Sequence, residues 1–128
     1  MSVKYQLDIE EKFLRIAMRG THSCLEEMVK SARYILDMAL THQQNRILLD
    51  RTQLEDTNDY YDKFLVAERL DKAHVQRHGI KIGSLIHCKN QSKERTLETL
   101  ARNRAISYRT FLTEQEALGW LLGTPEPA

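Results

Sequence analysis

Tyr5, Leu7 and Ile9 alternate with polar neighbours, and Leu14, Ile16 and Met18 do the same beyond the charged run Glu10-Glu11-Lys12. Period-2 alternation on both sides of a polar turn predicts a β-hairpin with one buried face. The period then lengthens. Ser23 and Glu26 have capping-box spacing, and Leu25, Met28, Ala32, Ile35 and Ala39 share one face of a helix predicted from about Cys24 to about Thr41. Ile47, Leu48 and Leu49, between Arg46 and Asp50, form a short run that is nearly all apolar. Such a run suits a central strand covered on both faces.

Residues 51–58 read as a polar loop with one buried candidate, Leu54. A second helix is predicted from about Asp59 to about Arg77, with Tyr60, Phe64, Ala67, Leu70 and His74 inward and Gly79 as a left-handed stop. Ile80, Ile82 and Ile86 mark the next strand, in which Gly83 permits a close approach by backbone or helix. Asn90 or Ser92 caps a third helix bearing Leu97, Leu100 and Ala101, and a last strand spans Ala105 to Phe111. Thr113 and Glu116 form another capping box, opening a helix with Ala117, Leu118, Leu121 and Leu122 that Gly123 ends. The tail 124–128 has nothing to bury and is expected to fray.

The predicted order is β-β-α-β-α-β-α-β-α. Right-handed crossovers turn it into a single α/β domain over residues 1–123: a mostly parallel five-stranded sheet, helices packed on it, and one antiparallel edge strand from the N-terminal hairpin. At 128 residues, the chain is long enough for one core and too short for two. A formal charge of +1 and 41% apolar residues describe an ordinary soluble domain and give no sign of a nucleic-acid partner. No apolar run reaches the roughly 18 residues of a membrane span, and the N-terminus lacks the apolar core of a signal peptide. Cys24 and Cys88, far apart and without CxxC spacing, suit reduced thiols in a cytoplasm.

Candidate chemistry is sparse, and no cofactor or metal is expected. Gly20, Thr21 and Ser23 lie between strand and helix, where free N–H groups could hold an anion or simply form a capped turn. Cys24 at the first helical turn could be a reactive thiolate, but a cysteine phosphatase needs an arginine where Lys30 stands. Cys88 beside His87 is a weaker signal. His74 and His78 have the spacing of a helical metal pair without a third ligand, and histidines at the edge of the core would look the same. Asp50, Glu55, Asp56, Asp59 and Asp62 gather in sequence near the end of the central strand, where an α/β sheet usually binds ligands. They suit Mg²⁺, or simply the positive end of a helix. Lys89, Lys93, Arg95, Arg102, Arg104 and Arg109 make the C-terminal third basic, a solvated face or one that orients a charged partner.

With its central strand Arg46–Asp50 and closing helix Glu114–Leu121, this order resembles the SpoIIAA-like branch of the STAS fold, the fold of anti-sigma-factor antagonists. The resemblance covers nearly the whole chain. It implies a non-enzymatic regulatory or protein-interaction module. In that family an Asp-Ser-Ser-Gly-type turn follows the central strand and its serine is phosphorylated. Asp56-Thr57-Asn58-Asp59 occupies that place here, with Thr57 the only hydroxyl in register. The resemblance therefore implies a working surface from Arg51 to Tyr61, with Asp50, Thr52, Asp56, Thr57, Asn58, Asp59 and Tyr61 as binding or regulatory residues, and a protein partner or self-association. Divergent SpoIIAA-like proteins are also similar to lipid-binding Sec14-type domains. With Tyr60, Tyr61, Phe64 and Trp120 in view, the alternative is a site for a small apolar or lipid-like ligand.

Overall fold

The hairpin, the central strand and the crossover helices all form. The computed structural model describes residues 3–22, 24–57 and 59–123. Its elements are β1 (Lys4–Ile9), β2 (Leu14–His22), α1 (Leu25–Thr41), β3 (Arg46–Asp56), α2 (Tyr60–Lys72), β4 (Lys81–Leu85), α3 (Gln91–Arg102), β5 (Ser107–Phe111) and α4 (Glu114–Leu122). Short 3₁₀ turns at Val75–His78 and Cys88–Asn90 precede β4 and α3. The strands lie side by side in chain order, β1 antiparallel to β2 and every later pair parallel.

Strand order decides where the helices go. Each parallel strand is followed by its neighbour in the same direction, so right-handed crossovers put α1, α2 and α3 on one face of the sheet. Burial agrees: Ile47 and Leu49 of β3 pack with Leu14, Ile16, Met18 and Ile35. Leu48 points the other way, into a separate cluster with Ala117 and Leu121 of α4. The last helix therefore returns across the far face, over β3, β4 and β5. It crosses at Gly83, where a Cβ would lie 3.6 Å from the rings of both Phe111 and Trp120. Lys81 holds it there, its Nζ over the Trp120 ring and donating to the Trp120 carbonyl at 2.7 Å. Beside α4 the far face is bare around Gln6, Ala17, Arg19, Asp50 and Gln53, which line a shallow depression of about 190 Å³.

Several boundaries depart from the sequence reading, each for a physical reason. β3 runs on to Asp56 because β2 continues beside it, pairing Gly20 with Leu54, Thr21 with Glu55 and His22 with Asp56 beyond an irregularity between Ala17 and Arg19. Residues 51–56 are therefore strand rather than loop, and Arg19–His22 is strand rather than a strand-to-helix turn. Ladder bonds join backbone groups and need no apolar side chain, so the polar composition concealed them. Gly20, with φ +118°, supplies a backbone angle that other residues resist.

α2 ends at Lys72, and His74 then turns left-handed at φ +56° before the 3₁₀ turn that Gly79 closes. Its buried residues are Lys63, Val66 and Ala67, while Tyr60 and His74 are exposed. β5 begins at Ser107, after Ala105 at φ +59°. Asn90 stands at the N-cap of α3 without a side-chain cap bond. Thr113 caps α4 as expected, its Oγ1 accepting from Glu116 N–H, and Gly123 ends that helix left-handed. Ser23, the expected cap of α1, lies outside the described residues, and the cap position falls on Cys24.

Candidate functional site

The end of β3 and the start of α2 form a corner tied to β2 by one carbonyl. The Thr57 N–H and Oγ1 both donate to the His22 carbonyl, at 3.0 and 3.2 Å. The His22 ring is buried, and its Nε2 is 2.7 Å from Ser31 Oγ, which in turn is 2.6 Å from the Tyr5 hydroxyl. Tyr5 stacks on Tyr34 of α1 with ring centroids 4.3 Å apart. One residue thus connects β1, α1, β2 and the start of the corner. Asp59 completes the turn as N-cap of α2, accepting from Asp62 N–H at 3.0 Å. The next two side chains, Tyr60 and Tyr61, stand 62% and 63% exposed.

Beneath the corner lies a polar layer that charge patterning did not reveal. Arg51 donates through Nε to one Glu94 oxygen at 2.8 Å and through a terminal nitrogen to the other at 3.3 Å. Both side chains are only 6% exposed, so this is a buried, two-bond pair from β3 to α3. Lys63 of α2 is buried as well. Ser84 donates to the Tyr108 hydroxyl at 2.8 Å, and burial pushes the Tyr108 pKa up to about 12. The usable sequence signal was position: Arg51 follows the apolar run of β3 in register with inward-facing Ile47 and Leu49. Next to this layer, between the sheet and α1, α2 and α3, is an apolar cavity of about 80 Å³ lined by residues including Leu49, Val66, Ala67, Leu97 and Ala101.

The corner brings together the backbone and side chain of Thr57 with Asp59, and Tyr61 follows on the first turn of α2. Asp50 and Thr52 lie elsewhere. Asp50 is on the α4 face and accepts from both Thr52 N–H and Thr52 Oγ1, at 3.0 and 2.6 Å. At about 3.3 Å per strand residue it is roughly 20 Å from the end of β3. Asn58 and the side chain of Asp56 lie outside the described residues. Gly20 and Thr21 are within β2.

The other candidates separate. Among the described residues no three His, Cys, Asp or Glu side chains are placed to hold a metal ion. His74 is itself the left-handed break and His78 lies beyond it in the 3₁₀ turn, so the two do not share one face of a continuous helix, and both are exposed. Cys24 faces the Glu27 carboxylate at 3.7 Å, and Cys88 stands 3.8 Å from His87 Nδ1. Of the basic residues, Arg104 pairs with Glu68, whereas Arg109 lies over Phe111 and Trp120 on the far face. The aromatic residues separate too: Phe64 sits beneath Arg104, Trp120 beneath Lys81, and neither lines the cavity. No described helix is long and apolar enough to cross a membrane.

Comparison with known proteins gives the fold a relative. An anti-sigma factor antagonist from Mycobacterium paratuberculosis superposes with a TM-score of 0.62 at 9% identity, over 94% of this chain and 95% of that one. An uncharacterized protein with a SpoIIAA-like fold from Shewanella loihica superposes with a TM-score of 0.53 at 17% identity, over 94% of each chain. The fold of this chain is SpoIIAA-like, as its element order led us to expect. No family model and no curated protein matches the sequence.

Proposed function

We propose that the chain is a non-enzymatic regulatory module that binds a protein partner through the end of β3 and the first turn of α2. The observation that carries this reading is the pair Tyr60 and Tyr61, almost two-thirds exposed on a helix start anchored by Asp59. Exposed tyrosines on rigid backbone lose little entropy on binding, and aromatic residues dominate the energetics of interfaces. The likeness in fold to an anti-sigma factor antagonist supports a regulatory role. Two exposed, unbridged cysteines fit a reducing cytoplasm.

The test is capture of partners from native lysate by the tagged chain and by the double variant Tyr60→Ser, Tyr61→Ser. Both side chains are exposed, so folding should survive. We expect a stoichiometric protein partner whose affinity falls by about 100-fold or more in the variant, as loss of two aromatic anchors implies. A partner retained undiminished overturns the surface, and the absence of any protein partner overturns the reading.

Regulation through Thr57 is a narrower proposal. A phosphate there would break the hydroxyl's bond to the His22 carbonyl and meet the Asp59 carboxylate, while the α2 N-terminus would attract it. Mass spectrometry of protein made beside its native kinases should find Thr57 modified. Persistent absence removes the switch and leaves binding intact.

A second reading, binding of a small apolar ligand, rests on the cavity beneath α1–α3 rather than on the aromatic residues that first suggested it. At about 80 Å³ it is smaller than the roughly 150 Å³ cavities that hold benzene, so a lipid chain would need the helices to part. Xenon or a short alkane is the appropriate probe. A raised unfolding midpoint at saturating probe supports this reading, and an unchanged midpoint rejects it.

A further inference from the structure

The two edges of the sheet are treated differently. At β5 the outward Thr110 N–H is taken by the Glu98 carboxylate of α3 at 2.6 Å, with Thr110 Oγ1 at 3.2 Å. That N–H is no longer open to another strand. At β1 no described group caps the outer edge, and Ile9 at its end is 63% exposed.

β1 also carries a pattern that fits itself. Its inner face, Tyr5 and Leu7, packs on the core beside α1, as does Val3 just before the strand. Lys4, Gln6 and Asp8 alternate onto the bare opposite face. Within the chain Lys4 faces Arg19, a like charge, and has no ion pair among the described residues. Asp8 faces Arg15, whose guanidinium is already bonded to Glu114. If a second β1 runs antiparallel with Gln6 opposite Gln6, each Lys4 lies across from the other copy's Asp8, and Ile9 lies beside Val3. Cross-strand neighbours of opposite charge attract, and like charges directly opposite repel, so this register is favoured over its neighbours.

We infer that β1 is a self-association edge: two copies of this chain join by antiparallel β1–β1 pairing centred on Gln6, giving a continuous ten-stranded sheet. The inference rests on the outer edge and the far face of β1 and does not depend on the proposed α2 surface. In the dimer the bare faces of the two sheets adjoin, so the shallow depressions beside Gln6 and Asp50 fall on one side of a common surface.

Sedimentation equilibrium on the full chain from low micromolar to millimolar concentration reads the association directly. We expect a species of twice the 15.0 kDa chain mass. Lys4→Glu alone, or Asp8→Lys alone, should weaken it by about tenfold or more, since each places like charges opposite twice per dimer. The combined Lys4→Glu, Asp8→Lys variant should restore it. With Cys24 and Cys88 replaced by serine, Gln6→Cys should oxidise to a cross-linked dimer and Lys4→Cys should not, because only position 6 faces its own copy. A folded monomer at every concentration overturns the inference. So does a dimer indifferent to both single charge reversals, or one that fails to cross-link through position 6.

Discussion

Glu94→Ala is expected to destabilise the fold by about 3–5 kcal/mol, measured by urea unfolding at neutral pH. Glu94 and Arg51 are almost wholly removed from water and satisfy each other with two hydrogen bonds. Removing the carboxylate leaves a guanidinium on β3 with its main partner gone, and a buried charge in that state is among the most damaging single changes a core can suffer. The size of the loss does not measure what the pair contributes, because both ions were desolvated on folding. The double replacement Arg51→Met, Glu94→Leu should therefore recover most of the loss and could exceed the parent stability. A loss below about 1 kcal/mol in the single variant would mean that water reaches Arg51 and that the pair is not buried as described.

The second large effect is expected from Leu49→Ala. Leu49 is 1% exposed and already borders the cavity of about 80 Å³, so truncation would enlarge an existing void instead of opening a new one. The surrounding strands cannot close over it because β3 is bonded on both sides, to β2 and β4. Unable to collapse, the site should lose about 3–5 kcal/mol, the upper part of the range for leucine truncation. Against a typical stability of about 5–15 kcal/mol this is a large fraction, so the unfolding midpoint should fall visibly. The enlarged space should also admit benzene and recover part of the lost midpoint. A loss near 1 kcal/mol without a benzene effect would show that the void is filled by rearrangement.

What the sequence revealed follows from which signals backbone and side chains leave in it. The hairpin and β3's apolar core were legible because Tyr5–Ile9, Leu14–Met18 and Ile47–Leu49 carry hydrophobic period directly. The continuation of β3 through Gln53 and Glu55 was not, because main-chain pairing beside β2 leaves no mark on side-chain polarity. The orientation of α2 was misread for a related reason. Tyr60, Phe64, Ala67, Leu70 and His74 were read as one face, of which Ala67 is buried while Tyr60 and His74 are exposed; Lys63 and Val66 complete the buried line, and a lysine there is invisible to a rule that assigns charge to solvent. The same rule hid Arg51 and Glu94, whose partnership exists only once β3 and α3 are folded. At the candidate site, Asp59 and Tyr61 were legible as a helix start, whereas Asp50 and Thr52 were grouped with them only because the strand between was taken for a loop.

The separation of the core into two faces has a consequence for the order in which the chain becomes compact during synthesis. Helices α1, α2 and α3 each emerge between the strands they cover, so the near side of the sheet can be closed piece by piece as the ribosome advances. Leu48, made early in β3, is buried by Ala117 and Leu121 of α4, which are translated only after every strand has been completed. Until then one side of a nearly finished sheet stands open to chaperones and to other nascent chains. A pause in translation between β5 and α4 would lengthen that exposure, whereas a pause between β3 and α2 would come while β4 and β5 have still to be made.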